Sequence, residues 1–81
     1  MNKVIIYTTP ICVYCKMTKS FFKQYKVEYE EKDVSFSDKD RTEMIEKSGQ
    51  LAVPVIDING AIVVGFDKQR LMALLGIEQV N

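Results

Sequence analysis

Apolar residues recur along the chain in short blocks whose spacing changes from one block to the next, and each change marks a new element. Val4-Ile5-Ile6-Tyr7 is an unbroken β-branched and aromatic run that stops at Thr8-Thr9-Pro10, the pattern of a strand buried on both faces. From Cys12 to Tyr25 no Gly or Pro intervenes. At ~100° per residue, Tyr14, Met17, Thr18, Phe21, Phe22 and Tyr25 share one side, with Lys16, Lys19 and Lys23 opposite, which predicts an amphipathic helix. Val27 to Asp33 then alternates Val27 and Tyr29 against Glu28 and Glu30, a strand pattern directly after a helix. Strand, helix and strand in this order predict a right-handed βαβ unit with parallel strands.

Ser37 followed by Asp40 offers a cap for a second helix that turns Met44 and Ile45 inward and stops near Gly49. Asn59-Gly60 separates Val55-Ile56-Asp57-Ile58 from Ala61-Ile62-Val63-Val64, and this dipeptide favours the tight turn of an antiparallel hairpin. Asp67 can cap a last helix carrying Leu71, Leu74 and Leu75 on one face, with Gly76 near its end. The predicted order is β-α-β-α-β-β-α, an α/β fold with helices on both faces of a mixed four-stranded sheet.

Composition narrows what such a domain does. At 81 residues, without a linker or repeat, the chain is expected to be one domain spanning 1–81. Eleven Lys and Arg balance eleven Asp and Glu, so no net positive field holds a nucleic-acid backbone or an anionic membrane. The N-terminal run Val4–Tyr7 is shorter than the ~7 to 15 apolar residues of a signal peptide. With only two cysteines rather than a framework of several disulfides, the expected setting is a reducing cytoplasm. The lack of histidine removes the usual general base and the commonest nitrogen ligand for a metal.

What remains with chemical power is Cys12-Val13-Tyr14-Cys15, where the first strand hands over to the first helix. The N–H groups at a helix start lack intrahelical partners and the macrodipole is positive there, so a thiolate on Cys12 is stabilised. Lys16, one turn on, adds an auxiliary Coulombic contribution. Cys12 projects to the polar edge of the helix and Cys15 to the rim of the apolar stripe. This difference predicts that Cys12 attacks an incoming disulfide and Cys15 opens the mixed disulfide that results. Two other readings of the pair stay open: a structural disulfide, whose small loop gains little chain entropy, and half of a zinc site, which lacks two ligands in this chain.

Three islands carry a family resemblance over nearly the whole length. They are Val4–Tyr7 leading into Cys12-Val13-Tyr14-Cys15, Val53-Pro54 before the hairpin, and Gly65-Phe66-Asp67 opening the last helix. On these the sequence resembles the glutaredoxins, especially the short bacterial glutaredoxin-like proteins that shade into NrdH-type redoxins. The resemblance implies a thioredoxin fold, a cis Val53-Pro54 bond beside the cysteines, and substrate contacts from Tyr14, Val53, Pro54, Gly65, Phe66 and Asp67. It further implies a dithiol-disulfide oxidoreductase that acts as a monomer without a bound cofactor. Its substrates would be disulfides in proteins or small molecules.

The residues alone leave alternatives at several of these positions: Pro54 as an ordinary trans proline, Tyr14 and Phe66 as core, and Asp67 as a helix cap only. Glutathione-using members generally carry a lysine before the first cysteine and often a basic residue before the Val-Pro pair. Here those stretches read Thr8-Thr9-Pro10-Ile11 and Gln50-Leu51-Ala52, with no cation. A neutral side chain lacks the charge-assisted hydrogen bond to a carboxylate. The expected reductant is therefore a flavoprotein thioredoxin reductase docking near Phe66, with glutathione as the alternative co-substrate. A third alternative is a metal or iron-sulfur carrier using Cys12.

Overall fold

In the computed structural model, which describes residues 3–77, the elements follow in the order β1 (Val4–Thr8), α1 (Val13–Gln24), β2 (Glu30–Asp33), α2 (Asp38–Ser48), β3 (Val55–Ile58), β4 (Ala61–Val64) and α3 (Lys68–Leu75). The sheet order is β2-β1-β3-β4. β1 runs parallel to β2, with Ile5 opposite Glu30, and antiparallel to β3, with Tyr7 opposite Val55. β3 and β4 form the hairpin, with Val55 opposite Val64.

β1 and β3 are central, and every residue of both is buried, as their continuous apolar runs require when both faces are covered. Val4, Ile6, Ile56, Ile58 and Val63 face Phe21, Phe22, Leu71 and Met72 of α1 and α3. On the other face Ile5, Tyr7 and Val55 pack with Val34 and with Met44 of α2. The edge strand β2 is instead Glu-Glu-Lys-Asp, a charged edge that discourages pairing with another chain. No helix among the described residues is long and apolar enough to cross a membrane.

The predicted terminators sit where the backbone needs them. Ser37 Oγ accepts the Asp40 N–H at 3.2 Å, and Asp67 Oδ1 accepts the Arg70 N–H at 3.2 Å. Asn59 and Gly60 have φ of 53° and 93°, the two positive values that the hairpin turn demands. Gly60→Ala meets no neighbouring atom but forces a side chain into that conformation, at a cost of about 1 kcal/mol. Urea denaturation should show the midpoint falling with the slope unchanged.

Two expectations need correction. β2 begins at Glu30 rather than Val27, because the Val27 N–H closes α1 by donating to the Phe22 carbonyl at 2.8 Å. Lys26, at φ 56°, makes the turn that allows this. The buried stripe of α1 is also rotated from the expected phase. Cys15, Thr18, Phe21 and Phe22 are buried, whereas Tyr14 and Met17 are exposed. Thr18 tolerates burial because its hydroxyl donates to the Tyr14 carbonyl at 2.8 Å.

Candidate active site

β1 delivers the chain to the site, and a tight turn starts the helix. The Cys12 N–H donates to the Thr9 carbonyl at 3.3 Å, and Cys12 then takes the N-cap position of α1 with extended φ and ψ of −87° and 112°. In that position its sulfur does what a capping oxygen does elsewhere: Sγ accepts the Cys15 N–H at 3.1 Å. No acidic side chain lies in the first turn of α1 to oppose negative charge there. A charged sulfur at Cys12 thus meets a backbone donor and the positive helix end together.

Cys12 and Cys15 are paired as a disulfide with Cα atoms 5.2 Å apart. Cys12 is half-buried and Cys15 is fully buried. The two environments differ in the expected sense, and Cys15 lies deeper than a place on the rim of the apolar stripe implied. Lys16 is exposed and lines a groove between α1 and Phe66.

The other islands reach the same end of the sheet. Val53-Pro54 is cis and enters β3, whose first residue Val55 stands opposite Tyr7, near the end of β1. Pro54 is buried and its carbonyl accepts the Gly65 N–H at 2.8 Å, which joins the Val53-Pro54 and Gly65-Phe66-Asp67 islands. Val53 is half-buried and takes part in no backbone hydrogen bond found among the described residues.

Phe66 packs edge-on against Phe21, with ring centroids 5.9 Å apart, so it belongs to the core margin and to the groove at once. Asp67 is exposed and caps α3. Tyr14, 60% exposed, stands on the surface beside the cysteines rather than in the core.

Apart from Tyr14, the sequence reading did not single out the exposed apolar rim of the site. Among the described residues, the exposed large hydrophobic ones are Ile11, Val13, Tyr14, Met17, Phe36, Leu51 and Val64. Ile11, Val13 and Tyr14 flank Cys12, and Met17 is the next turn of α1. Phe36 follows the end of β2, where the Val34 N–H donates to the Thr8 carbonyl at 3.0 Å, and Val64 ends β4 opposite Val55. Leu51 lies in the loop leading to Pro54. The only advance signal was an isolated apolar residue in a polar stretch, as in Ser35-Phe36-Ser37.

A thioredoxin-type sheet with a Cys-x-x-Cys pair capping its first helix defines a thiol-disulfide oxidoreductase. The glutaredoxin family model matches residues 4–63, and the chain belongs to that family. It is 41% identical over 70 residues to an uncharacterized glutaredoxin-like 8.6 kDa protein in the rubredoxin operon of Clostridium pasteurianum, covering 86% of this chain and 93% of that protein. Glutaredoxin 3 of Escherichia coli (strain K12) is 34% identical over 67 residues, covering 83% of this chain and 81% of that one. A crystal structure of a mutant of the thioredoxin-like protein BC3987 superposes with a TM-score of 0.89 at 35% identity, covering 96% of this chain and all of that one. Such enzymes act on disulfides with glutathione or a reductase as the electron source.

Proposed function

We propose that this chain is a cytoplasmic, monomeric, single-domain dithiol carrier whose substrates are disulfides in proteins. The observation that carries the reading is the apolar rim, since most of its exposed residues lie in loops and element ends at the end of the sheet that holds Cys12. A small polar disulfide gains little from such a surface, whereas a protein partner buries it.

The Cys12 thiolate attacks one sulfur of the substrate disulfide and expels the other as a thiolate. The deprotonated sulfur of Cys15 then attacks Cys12 in the mixed disulfide and releases the second substrate thiolate. Two electrons pass to the substrate, two thiols leave, and the Cys12–Cys15 disulfide remains. Val53, with its backbone groups uncommitted, pairs with an extended substrate segment beside the sulfurs. Tyr14, Pro54, Gly65 and Phe66 shape the surface around it. No bound cofactor is required. Among the described residues no three potential metal ligands come together, and ligation of a metal or cluster by Cys12 is not part of the reading.

The electron donor in this reading is a thioredoxin-reductase-type flavoprotein. Thr9 and Leu51 occupy the neighbourhoods where glutathione-using relatives carry cations for the glutathione carboxylates, and charge-assisted contacts of that kind are roughly twice as strong as neutral ones. Steady-state turnover on one protein disulfide, with each donor system at matched concentration, should favour the flavoprotein. A preference for glutathione would overturn the donor while leaving the dithiol chemistry in place. Iodoacetamide labelling of the reduced protein at mildly acidic pH should modify Cys12 before Cys15, because Cys12 joins partial exposure to a helix-start hydrogen bond whereas Cys15 is fully buried. Peptide mass mapping that found Cys15 labelled first would reverse the two roles.

A further inference from the structure

We propose that the groove between α1 and the start of α3 recognises an acidic segment of the partner protein, next to the disulfide being reduced. This inference rests on the reading of the chain as a reductant of protein disulfides. The groove is open to solvent, has a volume of about 420 Å³ and begins at Val13, the residue after Cys12. Its apolar lining comes from Val13, Met17, Phe21 and Phe66, its neutral polar lining from Ser20 and Gln24, and Lys16 and Lys68 line it from the two helices.

The charge pattern identifies the occupant. No acidic side chain lines the groove, although the chain as a whole carries as many carboxylates as cations. Lys16 and Lys68, like Lys3, Lys23, Lys26, Lys39 and Arg70, enter no ion pair among the described residues; what sets these two apart is that they share one apolar groove with no carboxylate in its lining. Asp67, the nearest carboxylate in sequence to Lys68, accepts the Arg70 N–H in capping α3. Two cations without ion-pair partners beside an apolar lining fit a segment that brings one apolar anchor and two or more carboxylates. Because the groove opens beside Cys12, docking there brings the substrate sulfur to the attacking thiolate and raises its local concentration.

The test is a single-turnover measurement with the pre-reduced full chain and two synthetic peptides. Each peptide holds the same intramolecular disulfide and a leucine anchor, flanked in one by aspartates and in the other by lysines. Rates are read by acid quench and mass spectrometry. The acidic peptide should react about tenfold faster at low salt, and the advantage should shrink at 1 M salt. The double charge reversal Lys16→Glu and Lys68→Glu should abolish or invert the preference. The milder change Lys68→Met should reduce it in a chain whose surface is otherwise unaltered.

Equal rates for the two peptides, or a preference that survives both sets of variants, would overturn the inference. If the variants slowed only the reaction with glutathione disulfide and left the peptides alone, the groove would serve glutathione carboxylates and the inference would likewise fail. Neutral hydroxyethyl disulfide separates this failure from that of the underlying reading. Reduction of it without peptide discrimination removes only the acidic partner, whereas no reduction of any disulfide removes the dithiol mechanism itself.

Discussion

Cys12→Ser is expected to lower the rate of disulfide reduction on the order of a thousandfold, to the uncatalysed background, because a serine hydroxyl stays protonated where the cysteine is a thiolate. The position sharpens the effect. Cys12 Sγ caps α1 and accepts the Cys15 N–H at 3.1 Å, and a serine oxygen can accept that same bond. Compared with the reduced parent, which likewise lacks the Cys12–Cys15 bond, the variant should therefore fold with nearly unchanged stability while losing its chemistry, which isolates the nucleophile from the cap. Cys15→Ser is expected to stop the cycle one step later. It keeps the attacking thiolate but lacks the buried sulfur that opens the mixed disulfide, so a covalent adduct with the substrate accumulates through Cys12. Non-reducing electrophoresis with mass mapping reads the adduct directly. Full activity in Cys12→Ser, or an adduct attached elsewhere in Cys15→Ser, would refute the assignment of the two sulfurs.

Most of this arrangement was legible before any coordinates, because it depends on local chemistry. The β-branched run of β1, the Asn59-Gly60 turn and the caps Ser37 and Asp67 each specify their own backbone, and the cysteines announce a helix start by following a strand. The phase of α1 was not legible. Tyr14 and Met17 look apolar by type, but Cys15 faces inward, and a residue one place away is turned by ~100° out of the core. The start of β2 was hidden for a related reason, since the Val27 N–H is used in closing α1 and cannot join the sheet ladder. The cis state of Val53-Pro54 followed from the resemblance and not from the local residues, which are compatible with either isomer. The apolar rim was invisible because Ile11, Phe36 and Leu51 lie far apart in sequence, and only the sheet topology brings their loops to one end.

The polar network under α2 was equally hidden, and its removal is expected to have a large effect on stability. The Tyr7 ring is fully buried, and its hydroxyl donates to Glu43 and accepts from Lys47 Nζ at 2.9 Å. Lys47 donates to Asp57 Oδ2 at 2.8 Å, Lys32 donates to Glu43 at 2.8 Å, and Asp57 Oδ1 accepts the Gly60 N–H at 2.8 Å. One network thus ties α2 to three strands and to the hairpin turn. Burial alone would lower the pKa of Lys47, but its bonds to Asp57 and Tyr7 prevail and raise it.

Lys47→Met strips the Asp57 carboxylate, only 12% exposed, of its cation while leaving the charge in place. Breaking a buried pair in this way costs ~3 to 5 kcal/mol, and because Lys47 itself keeps some contact with water we expect about 2 kcal/mol. That is a large share of the stability of a small domain. Adding Asp57→Asn should recover part of the loss, which a double-mutant cycle in urea measures.

Acid should act through the same network. Hydrogen bonds from Lys32 and then Tyr7 lower the pKa of Glu43 from 4.5 to about 2. The folded value is depressed, so this contribution is fully present above about pH 4.5 and is lost as pH falls toward about 2. Glu43→Gln should flatten that part of the stability profile. Urea midpoints with the same acid slope in the variant and the parent would show that Glu43 is not the group responsible.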